Sequence, residues 1–210
     1  VIGGVTDACG DRAVALYEPV FEQTVRVSGS AEAEFVKLLE NTFRSVNIGL
    51  INELALTAYR MNVDIWDVIN AAATKPFGYM PFYPGPGLGG HCIPIDPQQL
   101  SWRANQQGFE TRFIDLADRI NRGMPEHVVD RIGALLNEDG VALLNADILL
   151  LGVAYKPNVS DTRESPALDV IELLRSRGVN IEYHDPHVSN IETDSWEYES
   201  VPLSVERLNG

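Results

Sequence analysis

Asp147-Ile148-Leu149-Leu150-Leu151-Gly152-Val153-Ala154, then Ser165-Pro166, then Gly178-Val179-Asn180-Ile181-Glu182-Tyr183, are the segments whose reading decides the fold. The first is a short apolar run of the kind found in strands buried on both faces. Ser165 followed by Pro166 is a helix start, with the serine as cap and the proline at the first helical position, and Gly178 ends that helix after about Arg177. Val179 to Tyr183 alternates as a second strand. Strand, helix, strand is a right-handed βαβ unit, so a parallel sheet begins near residue 145. The chain then has room for one further short helix before Asn209-Gly210, which leaves that sheet unfinished.

Upstream of the sheet the periodicity is helical. Ala31 to Met61 contains no Pro, and Val36, Leu39, Phe43, Val46, Leu50 and Leu54 recur at helical spacing, with Ser28 or Ser30 as the expected cap. Near thirty residues, this helix is long for a globular protein and reads as a central spine or a dimer contact. Asp64 opens a shorter helix through Ala73. Two more helices are predicted, from Pro97 to Gln106 and from Ile114 to Asn137, the second broken at Gly123-Met124-Pro125. The whole is mixed α and α/β: a helical central part at 29–140, a partial parallel-sheet domain at 141–210, and a short leading segment at 1–28. No internal repeat or low-complexity segment interrupts it.

Composition narrows the chemistry. A formal net charge of −14 argues against non-specific binding to nucleic acid or to an anionic membrane. No apolar run is long enough to span a bilayer, Val1-Ile2-Gly3-Gly4 lacks the character of a signal peptide, and a start without Met at what reads as a strand end suggests a fragment of a cytoplasmic protein. Cys9 and Cys92 are two thiols in 210 residues, too few for a disulfide framework, and fit a reducing compartment. Two cysteines and four scattered histidines offer no paired metal-ligand spacing, so no metal site is expected.

The chemistry concentrates in Gly85-Pro86-Gly87-Leu88-Gly89-Gly90-His91-Cys92-Ile93-Pro94-Ile95-Asp96-Pro97. Gly85, Gly87 and Gly90 match the G-x-G-x-x-G spacing, yet prolines surround them where the dinucleotide fingerprint needs a strand before and a helix after, so the match is accidental. The loop reads either as a wrap around a polar ligand or as a tight turn with an inert cysteine. Cys92 acts as a nucleophile only as thiolate; His91 beside it points away if the backbone is extended. On the long helix Glu34, Lys37, Asn41 and Arg44 form one polar stripe, solvent-facing unless it meets the cysteine loop. There Lys37 could hold an oxyanion and Asn41 could orient water or substrate. Tyr155 to Pro166 joins a strand to a helix N-terminus, a common ligand position in open α/β sheets and equally a plain surface loop.

Together these segments resemble the UDP-glucose/GDP-mannose dehydrogenase family over almost the whole chain. Glu34-Phe-Val-Lys37-Leu-Leu-Glu-Asn41-Thr-Phe-Arg44 is similar to its central-helix motif, Gly89 to Pro97 to its nucleophile motif, and Tyr155-Lys156-Pro157 through Ser165-Pro166 to the opening of its UDP-binding domain. The wording His-Cys-Ile-Pro-Ile-Asp-Pro is closest to the branch that oxidises UDP-N-acetylhexosamines. The resemblance implies an all-helical dimerisation domain followed by a partial Rossmann-like UDP-binding domain, with residues 1–28 the tail of an NAD-binding domain and linker. It implies a four-electron oxidation of the sugar C6 hydroxyl by two NAD through a Cys92 thiohemiacetal and thioester, for surface polysaccharide synthesis. Lys37, Asn41 and Asp96 would assist Cys92. Gly85, Gly87, Gly89, Gly90, Tyr83, Lys156 and Arg44 would meet the substrate, and Arg163 the NAD. A homodimer through the 31–61 helix is implied too, and a fragment that is inactive alone. UDP-glucose as substrate, a Cys-dependent acyl hydrolase, and a helical dimerisation module without catalysis are the competing readings.

Overall fold

The computed structural model describes residues 1–204 and Leu208. The chain opens with α1 (Asp7–Tyr17), capped by the Thr6 hydroxyl, which accepts the Cys9 N–H. The sequence reading missed this helix. Next comes the spine, α2 (Ser30–Arg60); Gly29 occupies its cap position, and no side chain caps it, so neither Ser28 nor Ser30 has the expected role. Asp64 caps α3 (Ile65–Ala72) as anticipated, and α4 (Asp96–Gln106) begins one residue earlier than predicted, at the carboxylate itself.

The helix α5 (Arg112–Glu138) runs unbroken through Gly123-Met124-Pro125, contrary to expectation. Pro125 removes one backbone donor, but Ala117, Asn121, Met124, Pro125 and Val129 are buried along one face, and that packing outweighs the loss of a single helical bond. This helix joins the two halves of the molecule. Its first half lies on α2, where a Cβ at Gly49 would stand 3.0 Å from both Cα and Cβ of Ala117, so the two backbones approach closely. Its second half supplies Val129 to the core of the sheet domain.

The face α2 turns to α5 is not the apolar stripe. The buried residues are Asn41, Ser45, Gly49, Ile51, Asn52 and Ala58, whereas Leu39, Phe43, Leu50 and Leu54 remain 45–59 % exposed. Small and amide side chains permit the close crossing, and the apolar side faces outward.

The βαβ unit is present as predicted. Strand β1 (Asp147–Leu151), helix α6 (Pro166–Ser176) and strand β2 (Asn180–His184) form a parallel pair in register from Asp147 opposite Asn180 to Leu151 opposite His184. The Ser165 hydroxyl accepts the Ala167 N–H at the start of α6. Val153, Ile171, Leu174 and Tyr183 are fully buried in the core beneath. Strand β1 is only half-buried rather than covered on both faces, because β2 is the one strand pairing with it among the described residues. An unpredicted antiparallel hairpin follows, β3 (Asn190–Glu192) with β4 (Glu197–Glu199), attached through a Tyr183–Ser200 bridge. The short helix expected before Asn209-Gly210 falls on a stretch largely outside the described residues. No described helix is long and apolar enough to cross a membrane.

Candidate active site

The glycine loop is held by a chain of buried amides. The Gly85 N–H donates to Asn52 Oδ1 at 3.0 Å, Asn52 Nδ2 donates to Asn121 Oδ1 at 2.9 Å, and Asn121 Nδ2 donates to the Ser45 carbonyl at 3.1 Å. Asn52 is fully buried, so each of these bonds satisfies a group that would otherwise lie desolvated. Gly87 and Gly90 take φ of +140° and +86°, which side chains resist. At Gly89 the demand is space: a Cβ there would lie 2.7 Å from the Tyr155 Cβ and 3.0 Å from the Glu164 carbonyl oxygen. The loop therefore lies directly on the 155–166 segment. Tyr83, just before it, stacks on Trp66 of α3 with ring centroids 5.7 Å apart, and its hydroxyl approaches Asn70 at 3.4 Å.

Residues 90–95 form a turn rather than the extended backbone assumed for His91. The Cys92 carbonyl accepts the N–H of Asp96 at 2.8 Å and of Ile95 at 3.2 Å, so the thiol and the carboxylate flank one turn. Cys92 is a free thiol and exposed. From the spine helix, fully buried Asn41 donates through Nδ2 to Asp96 Oδ2 at 2.5 Å and accepts at Oδ1 from Arg44 Nη1 at 2.8 Å. Of the polar stripe of α2, Asn41 thus meets the cysteine turn and Arg44 joins it through Asn41, while Glu34 and Lys37 are exposed. Lys37 lies one helical turn before Asn41 with its side chain 58 % exposed and its Nζ 4.0 Å from Glu40, a loose pair that leaves the ammonium available.

Beyond the loop a cleft of about 530 Å³ opens at the carboxyl ends of β1 and β2, lined by Gly89, Gly152, Lys156, Ser165, Asp185 and His187 among others. This is where open α/β sheets bind ligands. Its floor depends on Asp185, whose carboxylate accepts the N–H groups of Val153 (2.9 Å), Ala154 (3.3 Å), His187 (2.8 Å) and Val188 (3.2 Å). Burial pushes this carboxyl upward, but the four donors outweigh it and hold it below the ordinary carboxylate range. Lys156 lies over the Tyr155 ring at 5.2 Å. Arg163 grips Asp161 with two bonds of 2.9 and 2.7 Å and holds that carboxyl far below the usual range.

Residues 31–123 match the central domain of the UDP-glucose/GDP-mannose dehydrogenase family, and residues 149–208 match its UDP binding domain. The chain belongs to this family. A UDP-N-acetyl-D-mannosamine dehydrogenase of Methanococcus maripaludis is 37% identical over 205 residues, 98% of this chain and 44% of that protein. Among solved structures, the UDP-D-ManNAc dehydrogenase of Pyrococcus horikoshii superposes with a TM-score of 0.82 at 36% identity, covering 89% of this chain and 44% of that one. An NDP-N-acetyl-D-galactosaminuronic acid dehydrogenase of Methanosarcina mazei gives 0.83 at 30% identity, covering 95% and 44%. The chain thus spans less than half the length of these relatives.

Within this dehydrogenase framework, the structure joins Cys92, Asp96, Asn41 and Arg44 into one cluster and sets Gly87, Gly89 and Lys156 at the cleft. Lys37 is linked to the cluster through Glu40, whose Oε2 also pairs with Arg44, and Arg163 is linked to the cleft through Asp161, whose carbonyl accepts the Tyr155 N–H. Sequence reasoning missed Asn52, Asn121 and Asp185. Asn52 and Asn121 left a faint signal, as amides on the inner sides of helices; Asp185, just past a strand end in Asp185-Pro186, reads as an ordinary turn residue.

Proposed function

We propose that the whole protein carrying this chain oxidises the C6 hydroxyl of UDP-N-acetyl-D-mannosamine to the carboxylate, using two NAD. The single observation that carries this reading is the Asn41–Asp96 hydrogen bond, which draws the central-helix motif onto the Cys92 turn. The name of the relative that matches 98% of the chain favours the manno sugar. The nucleotide would occupy the cleft, with its phosphates beside Lys156 and the start of α6, where free N–H groups favour anions.

Among the described residues Arg163 is the chain's own candidate for contact with NAD. Its side chain is 68% exposed and its charge is already shared with Asp161, so it fits as an outer contact and not as a binding site by itself. The glycine loop does not supply a dinucleotide fold, because it packs on 155–166 instead of opening a helix from a strand. NAD, when bound, supplies a hydride acceptor for each of the two oxidations. This chain's residues manage the rest. In the first oxidation the C6 hydroxyl loses its proton as the hydride departs, leaving an aldehyde. The Cys92 sulfur then bonds to the aldehyde carbon and the oxygen takes up a proton, giving a thiohemiacetal. Loss of the second hydride and that proton leaves a thioester. Water adds to its carbon, the C–S bond breaks, and the thiol is restored as the carboxylate leaves. The Lys37 ammonium balances charge on the reacting oxygen, the buried Asn41 amide holds Asp96, and Asp96 takes the proton from the attacking water. Gly85, Gly87, Gly89, Gly90 and Tyr83 shape the wall against the sugar.

The test is stoichiometry. The whole protein with UDP-N-acetyl-D-mannosamine should yield two NADH per uronate, with UDP-N-acetyl-D-glucosamine and UDP-glucose slower. A faster reaction with UDP-glucose would transfer the reading to that substrate, and hydrolysis of thioesters without NAD would replace it by an acyl hydrolase. The isolated 210-residue chain is expected to turn over none of them.

A homodimer through α2 belongs to the same proposal, since Leu39, Phe43, Leu50 and Leu54 form an outward apolar row. The expected light-scattering mass of the whole protein is at least twice that of one chain, and Leu50→Glu with Leu54→Glu should lower it. A one-chain mass for the unaltered protein sinks the dimer.

A further inference from the structure

The orientation of Asn41 matters because an amide has two unlike ends. Its oxygen only accepts and its nitrogen only donates, so a buried amide is useful to a neighbouring carboxylate in one orientation and repels it in the other. Asn41 is fully buried between two groups of fixed polarity. Arg44 can only donate, and it takes the Oδ1 side at 2.8 Å; Asp96, when ionised, can only accept, and it takes the Nδ2 side at 2.5 Å. Turning the amide over would put two donors face to face on one side and two acceptors on the other.

We propose that Arg44 is a positioning residue of the dehydrogenase: it sets the rotation of Asn41, and through Asn41 it keeps Asp96 Oδ2 occupied and leaves Oδ1 of Asp96 free for proton transfer. The inference rests on the function proposed above. The guanidinium also polarises the amide it binds, which strengthens the N–H donor on the far side. Arg44 suits this work better than a lysine would. Its planar fork lets Nη1 serve Asn41 while Nη2 reaches Glu40 at 3.4 Å, so the side chain is braced from two points on its own helix. With its side chain 41% exposed, replacing it leaves no cavity in the α2–α5 packing.

In the whole protein, Arg44→Met should lower kcat with UDP-N-acetyl-D-mannosamine on the order of tenfold, the equivalent of one hydrogen bond, with a small fall in melting temperature because the buried Asn41 Oδ1 loses its donor. The KM should move by less than about twofold, because the loss falls on the reacting state and not on ground-state binding. Arg44→Lys should recover part of the rate, since an ammonium can still donate one bond to Oδ1. Placed in an Asn41→Ala background, Arg44→Met should add nothing further, as expected for two residues acting as one unit. A change mainly in KM, or a loss of the same size in the Asn41→Ala background, would assign Arg44 to direct substrate contact and overturn the proposal.

A second readout needs no turnover. The side-chain amide protons of Asn41 should exchange slowly with water in the unaltered protein and rapidly in Arg44→Met; equal protection in both overturns the positioning role. An unaltered protein inert toward every UDP-sugar would defeat the functional reading, and the amide exchange would then decide the orientation of Asn41 alone.

Discussion

Cys92→Ser in the whole protein should reduce uronate formation by roughly a thousandfold or more, the scale of loss when a covalent nucleophile is removed. A serine hydroxyl is far less acidic than a thiol, so almost none of it is ionised at neutral pH. A serine ester in place of the thioester is also a poorer acyl donor to water. The variant should still support the first oxidation, and one NADH per sugar with release or recycling of the aldehyde is the expected signature. Because Cys92 is exposed, its replacement should alter stability by less than about 0.5 kcal/mol. Uronate made at an undiminished rate by Cys92→Ser would exclude the covalent route. A dimerisation module without catalysis predicts no effect on any reaction, so the same assay separates it from the dehydrogenase.

The second large effect is on stability. Asp185→Ala should destabilise the sheet domain by about 2–5 kcal/mol, because removing one acceptor orphans several donors at once, each buried one costing about 1–3 kcal/mol. Val153 and Val188 are both buried, so water does not readily replace the lost carboxylate at their N–H groups. The pH dependence follows from the sign of the shift. The folded-state pKa of Asp185 is depressed, so its stabilising effect is fully present above the unfolded carboxylate value of about 4 and is lost as pH falls through the folded value. Unfolding by urea should therefore separate the native protein from Asp185→Asn most widely near neutrality, with the gap narrowing on acidification below about pH 4. A gap that stays constant into strong acid would mean that the carboxylate's charge contributes nothing.

Much of the architecture could be read from the chain because it depended on local signals. The Ser165-Pro166 start and Gly178 stop of α6 and the Asp64 cap of α3 each satisfy backbone groups within a few residues of themselves, and the apolar run from Asp147 to Leu151 marks its strand by composition although its backbone pairs with β2. Where the reading failed, partners distant in sequence had overruled a local rule. Pro125 looked like a helix break, yet contacts along the buried face of α5 keep the helix continuous. The apolar row of α2 left open which side of the helix faces its neighbours; the inside is taken mostly by small and amide side chains because α5 crosses closely at Gly49.

The candidate site divides in the same way. By itself, the sequence determined the kinds of group present: a cysteine behind glycines, an aspartate four residues on, a lysine and an asparagine one turn apart on a helix, and a strand-to-helix segment carrying Lys156 and Arg163. Those are chemical identities and short spacings, which the order of residues states directly. Only the tertiary structure decided which of them come together. Asn41 and Asp96 are 55 positions apart and share a hydrogen bond, Asn52 reaches 33 positions to hold Gly85, and Asp185 reaches back 32 positions to Val153. Each pairing forms because a buried polar group must find a partner somewhere, and the packing of α2, α5 and the sheet leaves one within reach. The contact of the glycine loop with Tyr155 and Glu164 is likewise a fact of packing that no local spacing encodes.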